Sequence, residues 1–222
     1  MQLLNIGSAI GSWLVLTTGL CYMYLPPYPE THIPICCLLF FNNLNIFIAM
    51  CEIALGIHIM KVKAEYKELR EKYKGKEKSA CVAFLFHPLT VAEVFSLQTW
   101  TLMWSTYSLY DPSYQNHETF GFFIDFGNGL STIPPSLMMT YAILFPHQIN
   151  SFVVGCVGLA MYWQKMYGTI IYLLSFVYNK RYVGFPAMEV AGFVAVINSV
   201  WIFFPCIGLY LCILMLKDGA LS

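Results

Sequence analysis

Six long blocks of apolar residues with few charges dominate the chain. They cover residues 3–25, 33–60, 81–109, 119–146, 151–178 and 187–216. A helix needs about 20 residues to cross about 30 Å of hydrocarbon at 1.5 Å per residue. Because the apolar runs are continuous, they predict helices rather than the alternating strands of a barrel. We therefore expect an all-α, polytopic membrane helix bundle with about six transmembrane helices.

Composition supports this class, because 58% of the residues are hydrophobic and only 11% are charged. A typical soluble domain carries about 25% charged residues. The third block, 81–109, is the least apolar of the six, since it contains His87, Pro88, Glu93 and Gln98. Five spans is therefore the alternative count.

The positive charges predict the orientation of the bundle. Eight of the twelve Lys and Arg residues lie between Lys61 and Lys78. By the positive-inside rule, the 61–79 loop faces the cytoplasm or the equivalent stromal or matrix side. Glutamates alternate with the basic residues at helical spacings, which predicts that this loop continues the second helix beyond the membrane. The twelve acids balance the twelve bases, which gives no support for nucleic-acid binding.

Motifs of soluble enzymes are missing from the sequence. The chain has no glycine-rich phosphate loop, no HExxH, no GxSxG and no paired cysteines at metal-binding spacing. Nucleotide hydrolysis, zinc proteolysis and serine esterase chemistry therefore have no support. We expect no metal and no cofactor.

Polar and ionisable residues inside the apolar blocks are the candidates for function, because such residues are costly in a membrane. They are Glu52, His87, Glu93, Asp125, Asn128, Lys165, Asn198 and Trp201. Asp125 and Lys165 lie on successive predicted helices and could form an ion pair. Asn42, Asn43, Asn45 and Glu52 make the second block polar, which predicts packing against neighbouring helices or, alternatively, a ligand pocket beside it.

Four patches in the second part of the chain follow a known order. The first reads Trp104-x2-Tyr107-x3-Asp111-x2-Tyr114, and Asp125 with a Pro-x-Ser-Leu turn at 134–137 follows it. The third is Lys165-Met-Tyr167-Gly168-x3-Tyr172, and the fourth is Asn198-x2-Trp201-x3-Pro205. Together they resemble the emopamil-binding protein family of the EXPERA superfamily. The resemblance covers about residues 81–216 as a four-helix membrane domain and leaves 1–80 as a two-helix extension with its charged loop.

This resemblance implies a sterol or lipid cavity in the membrane of the endoplasmic reticulum. The family's sterol isomerases move a double bond from Δ8 to Δ7 by proton transfer within the membrane. Carried over, that role falls on Asp125, Glu93 and His87 as catalytic residues, without a cofactor. The implied ligand-binding residues are Trp104, Asn128, Tyr167, Asn198 and Trp201. The implied partners are membrane lipids or a sterol.

Two departures from the family pattern support an alternative function. The family's His-x3-Glu pair becomes His87 and Glu93, six residues apart, which puts the two side chains on different helix faces. The family's Gln becomes Lys165, which brings a positive charge to a proposed carbocation. The alternative is a non-catalytic accessory subunit of a large respiratory or photosynthetic complex in an organelle inner membrane. Its neighbours could contact the small-residue faces Gly7/Gly11 and Ala187/Ala191/Ala195.

The relation between Asp125 and Lys165 discriminates between these functions. If their side chains touch and close the cavity, the accessory role is favoured. If they flank an open apolar cavity that faces Trp201, the ligand-binding role is favoured.

Overall fold

The computed structural model describes residues 4–219 and 221 and is mostly helical. Two short strands, β1 (Leu4–Asn5) and β2 (Pro88–Leu89), pair antiparallel. A 3₁₀ turn spans Pro112–Gln115, and a π-helical turn spans Ala191–Val196. The α-helices are α1 (Ile6–Met23), α2 (His32–Ile57), α3 (Ile59–Lys72), α4 (Glu77–Leu85), α5 (Val91–Val94), α6 (Thr101–Tyr107), α7 (Phe120–Leu144), α8 (Ser151–Tyr178), α9 (Ala187–Val190) and α10 (Ile197–Asp218).

Three helices of the described chain are both long and apolar enough to cross a membrane. They are α1, α2 and the continuous helix Ala187–Asp218, which joins α9, the π-helical turn and α10. The predicted all-α membrane protein is thus confirmed at this level. At 25 and 28 residues, α7 and α8 also have the length to cross, but polar residues interrupt them.

The centre of the molecule is a bundle in which α2 packs along α7 and α8 packs along α10. Small residues allow these helices to approach closely. A Cβ atom added to Gly129 of α7 would lie 2.9 Å from the backbone of α2 at Ala49 and Ile53. A Cβ atom on Gly208 of α10 would lie 2.6 Å from the ring of Tyr162. Backbone proximity of this kind is typical of membrane helix packing.

The asparagines of α2 hold this bundle together through buried hydrogen bonds. Asn42 accepts from the Tyr162 hydroxyl at 2.9 Å. Asn45 donates to Ser136 Oγ at 3.0 Å and to Thr132 Oγ1 at 3.3 Å. The predicted packing of the polar second helix against its neighbours is confirmed, because its amides find partners on α7 and α8.

The prediction of one transmembrane helix over residues 81–109 is wrong. This block forms the end of α4, the strand β2, the four-residue helix α5 and the helix α6. Pro88 lacks a backbone N–H and lies in β2, opposite Asn5. Thr90 then caps the start of α5 through its hydroxyl. The polar residues and the proline therefore break the block into short helices.

The charged segment after α2 is helical, as the charge pattern predicts, and it docks on the broken block. Val62 and Tyr66 of α3 are buried. Glu65 faces inward and accepts hydrogen bonds from Thr101 and Ser105 of α6. The basic side chains stay on the outer face, where both Lys67 and Arg70 are exposed.

The small-residue faces differ in their contacts. A Cβ atom on Gly7 would lie 3.2 Å from the Leu85 carbonyl oxygen, so that glycine packs against α4 of the same chain. In the described part of the chain, no neighbouring atom lies within 4 Å of a Cβ atom added to Gly11. Ala187, Ala191 and Ala195 are exposed. Contacts of these faces with other subunits stay a prediction.

Candidate functional site

A cavity of about 320 Å³ lies between the bundle and the broken block. This volume falls in the range of small-molecule sites, about 300–1,000 Å³. Most of its lining is apolar or aromatic, with a few polar groups. The lining residues are Ile48, Glu52, Cys81, Phe84, Leu85, Met103, Trp104, Thr106, Tyr107, Tyr110, Tyr114, Asp125, Asn128, Thr169, Phe193, Ile197, Asn198 and Trp201.

The structure brings five of the predicted site residues together on the wall of this cavity. Trp104 comes from α6, Asp125 and Asn128 come from α7, and Asn198 and Trp201 come from α10. They are separated by up to 97 positions in the sequence, since Trp104 and Trp201 mark the two ends of the set. The packing of α6, α7 and α10 against α2 makes one site out of these separate patches.

Lys165 forms its ion pair with Glu52, and the predicted pair with Asp125 is wrong. Lys165 Nζ lies 3.2 Å from both carboxylate oxygens of Glu52. Both side chains are buried, with exposed fractions of 1% and 4%. The lysine stem extends from α8 toward α2, where the Glu52 carboxylate lies closer to the ammonium than the Asp125 carboxylate does. Within the described residues, Asp125 forms no ion pair and remains on the cavity wall.

Two tryptophans of the cavity are fixed by hydrogen bonds to α2. Trp104 Nε1 donates to the Cys51 carbonyl oxygen at 2.7 Å. Trp201 Nε1 donates to Asn45 Oδ1 at 3.4 Å. Tyr114 packs on Trp104, with ring centroids 5.2 Å apart. The aromatic rings therefore present carbon faces and edges to the cavity.

Asn198 is held by a chain of polar contacts behind the cavity wall. Its Nδ2 donates to the Tyr107 hydroxyl at 2.9 Å and to the Val194 carbonyl oxygen at 2.8 Å. The Tyr107 and Tyr172 hydroxyls are 2.9 Å apart. Since the nitrogen is engaged within the chain, the Asn198 side-chain oxygen is the atom placed to accept from a ligand.

His87 and Glu93 do not belong to this site, so the catalytic roles implied for them do not fit the geometry. Both residues are exposed, and neither lines the cavity. The Glu93 carboxylate accepts from the Thr90 N–H at 2.7 Å and from the Thr90 hydroxyl at 2.7 Å. These bonds lower the pKa of Glu93 below its ordinary value. Glu93 is therefore a charged helix cap, and Pro88 and the turn at α5 keep His87 on the surface.

Tyr167 also lies away from the cavity. Its side chain is 50% exposed and stacks on Trp163, with ring centroids 5.8 Å apart. Five residues further on, Tyr172 is buried and contacts Tyr107 instead. The implied ligand-binding role of Tyr167 is not supported, because α8 turns this ring outward.

Tyr107 and Tyr114 line the cavity but were not among the predicted site residues, and Glu52 was predicted only as a functional candidate beside a possible ligand pocket. Glu52 carried a signal, since an acid inside an apolar block needs a partner or a function. Tyr107 and Tyr114 stand in the first patch beside Trp104. Their seven-residue spacing gave no sign that one belongs to α6 and the other to the 3₁₀ turn.

Comparison with known proteins assigns no family to this chain. No protein-family model matches the chain, and no characterised protein matches its sequence. The resemblance to the emopamil-binding protein family therefore stays a prediction from the four sequence patches.

Proposed function

We propose that this chain is a membrane-embedded lipid-binding protein whose cavity takes a neutral, flat lipid of the sterol class. This proposal rests on the position of Asp125. It lies on the wall of an apolar cavity that also contains Trp201, while Lys165 is engaged by Glu52. A cavity closed by an ion pair between Asp125 and Lys165 would have favoured the accessory role.

Charge supports a ligand without a negative group. The carboxylates of Glu52 and Asp125 outnumber the single ammonium of Lys165 around the cavity. The ammonium is already paired at 3.2 Å, so it has no free direction toward a carboxylate or phosphate. An anionic lipid would have to be desolvated against these carboxylates. A fatty acid or phospholipid headgroup is therefore disfavoured in this cavity.

The polar groups of the cavity suit a lipid that carries a hydroxyl group. Asp125 and the Asn198 oxygen can accept a hydrogen bond from it. Trp104, Trp201 and Tyr114 can pack on a flat ring system. A sterol combines both properties, as the sequence resemblance implies.

The membrane arrangement belongs to the same proposal. We assign five crossings, with α7 and α8 beside α1, α2 and the last helix, because α7 and α8 match these helices in length and pack along them. The short helices α4, α5 and α6 then form a partly inserted segment against the bundle. The endoplasmic reticulum is the proposed compartment, on the sequence resemblance alone.

Sterol isomerisation is the catalytic form of the proposal, and the ion pair weighs against it. A ring carbocation formed in the cavity would need a proton donor and a nearby base. Asp125 could serve as the donor if it is protonated, and the Trp201 ring could stabilise the cation. The buried ammonium of Lys165 would oppose the positive charge of the intermediate, and Glu52, its partner, is not free to act as the base. We therefore expect binding without conversion of a Δ8 sterol.

The test is purification in a mild detergent, followed by size separation and mass spectrometry of co-migrating proteins and lipids. A small particle that carries sterol would support the proposal. Purified protein is then labelled with a diazirine sterol, and Asp125→Asn is compared with the control Asp218→Asn on the exposed end of α10. We expect several-fold weaker labelling for D125N alone. Recovery only in a large stoichiometric assembly, without sterol, would overturn the proposal in favour of an accessory subunit.

A further inference from the structure

The cavity has an apolar rim on one side. Among its lining residues, Leu85 and Ile197 are apolar and exposed, at 46% and 45%. Leu85 ends α4, and Ile197 begins α10. We infer from these two exposed residues that the cavity opens between α4 and α10.

The end of the cavity near the loops is closed. Tyr110 lines this end and is 1% exposed. Its hydroxyl donates to Glu189 Oε2 at 2.7 Å, and its ring stacks on Phe193 at 5.3 Å. Beside it, Arg181 Nη1 lies 3.1 Å from Asp111 Oδ2, which ties the two loops together. A ligand does not enter from water at this end without breaking these contacts.

The depth of the rim indicates what it faces. Ile197 lies ten residues into the membrane-spanning helix Ala187–Asp218, which is about 15 Å along its axis. The helix has 32 residues and is about 48 Å long, so a hydrocarbon layer of about 30 Å centred on it begins about 9 Å from Ala187 and includes Ile197. Phe86, next to Leu85, is also exposed, so the α4 side of the rim is apolar as well. The opening therefore faces the acyl chains of the bilayer rather than water.

The helix beside the rim is irregular. A π-helical turn spans Ala191–Val196 and ends directly before Ile197. Such turns occur mostly as single insertions inside α-helices and are frequent at functional sites. Phe193 of this turn lines the cavity. On the other side, α4 packs on α1 and α6, so the two sides of the rim belong to separately packed elements.

We propose that the cavity loads laterally from the bilayer core, through the opening between Leu85 and Ile197. This inference rests on the proposed lipid-binding function and restricts its ligand class. The ligand is a lipid dissolved in the hydrocarbon layer, and no water-soluble metabolite or lipid presented by a soluble carrier takes this route. Leu85 and Ile197 control the rate of entry and exit rather than the strength of binding.

The first experiment tests the environment of the rim without any ligand. The fluorescent amino acid Anap is placed at position 85 or 197 of the full chain in nanodiscs, and a control carries it at exposed Lys67 of α3. Mid-chain doxyl phosphatidylcholine should quench positions 85 and 197, and aqueous iodide should quench position 67. Quenching of both rim positions by iodide, with no effect of the doxyl lipid, would overturn lateral loading from the bilayer.

The second experiment measures exchange of dehydroergosterol from donor vesicles, followed by energy transfer from the protein tryptophans. The rim variant is Leu85→Phe/Ile197→Phe, and the control is Ile213→Phe, an exposed position of α10 outside the cavity. We expect the rim variant to exchange at least threefold more slowly than the unaltered protein, and the Ile213→Phe control to match the unaltered protein in exchange rate and in bound fraction. Equal exchange rates of the rim variant and the control would overturn loading through the opening between Leu85 and Ile197. Absence of binding in the unaltered protein would instead overturn the proposed function, while the quenching result still decides which medium the rim faces.

Discussion

Two regions of this molecule carry polar residues in apolar blocks, and they fold in opposite ways. Helix α2 stays continuous for 26 residues although it contains Asn42, Asn43, Asn45 and Glu52. The block 81–109 breaks into short helices around His87, Pro88 and Thr90. The number of polar residues is therefore not what decides whether a helix continues.

The difference lies in where the polar groups find partners. In α2 they bond to side chains of other helices, as Glu52 does with Lys165 and Asn45 with Ser136. At the break in the block 81–109 they bond locally, as Thr90 does with Glu93 three residues on. A local partner competes with the helix for backbone groups, whereas a partner on a neighbouring helix fastens the helix in place.

The largest expected effect comes from removing one member of the buried ion pair. Lys165→Met leaves the Glu52 carboxylate buried without a partner, which should lower the free energy of unfolding by about 3–5 kcal/mol. Equilibrium unfolding in mixtures of mild detergent and SDS measures this change. The double variant Glu52→Gln/Lys165→Met should recover most of the loss, and Lys67→Met on the exposed face should change little. An unaltered stability of K165M would show that the pair does not fasten α2.

A methyl group at the contact of α2 and α7 should have the next largest effect. In Gly129→Ala the new Cβ meets α2 backbone atoms at 2.9 Å, which cannot move aside as a flexible side chain would. We expect a loss of about 1–3 kcal/mol from overpacking. Gly127→Ala is the matched control, because no atom lies within 4 Å of its added Cβ on the same helix. Equal stability of the two variants in the same unfolding assay would contradict the close packing.

Removal of one interhelical amide should cost less. Asn45→Ala deletes the bonds to Ser136, Thr132 and Trp201. Single hydrogen bonds between membrane helices average about 0.6 kcal/mol, so we expect a loss of about 1–2 kcal/mol. The comparison is Asn179→Ala, whose amide bonds only within its own helix end. A larger loss of stability for N179A than for N45A would contradict the conclusion that the interhelical bonds of Asn45 stabilise the bundle more than local bonds do.

The smallest effect concerns the surface cap. Glu93→Gln keeps the side-chain shape and removes the charge of an exposed group, so diazirine-sterol labelling should stay within experimental error of the unaltered protein. Asp125→Asn in the same assay provides the positive comparison. Loss of sterol labelling in E93Q would return Glu93 to the candidate site and contradict the position that α5 gives it.

The sequence predicted the long helices well, because continuous apolar runs decide them. The blocks 119–146 and 151–178 correspond to α7 (Phe120–Leu144) and α8 (Ser151–Tyr178). The prediction for block 81–109 was wrong because its apolar content was counted across Pro88. This proline lies in a strand that pairs with Leu4–Asn5, a segment far away in the sequence.

The candidate site was predicted in part for a similar reason. Asp125, Asn198 and Trp201 could be found from colinear patches, and they do share the cavity. The partner of Lys165 could not be predicted, because pairing residues on successive helices considers α7 and α8 and leaves out α2. Which helices lie within reach of a side chain is a property of the packed bundle, and Gly129 lets α2 approach α7 closely.

The hydrogen bonds of the two cavity tryptophans have a consequence for selectivity. Since the indole N–H groups of Trp104 and Trp201 are both taken by α2, these rings offer a lipid only shape and apolar surface. They can raise affinity for every flat lipid alike but cannot tell one hydroxyl position from another. That discrimination is left to Asp125 and Asn198. Changes at the tryptophans should therefore shift how much lipid is bound, and changes at the two polar residues should shift which lipid it is.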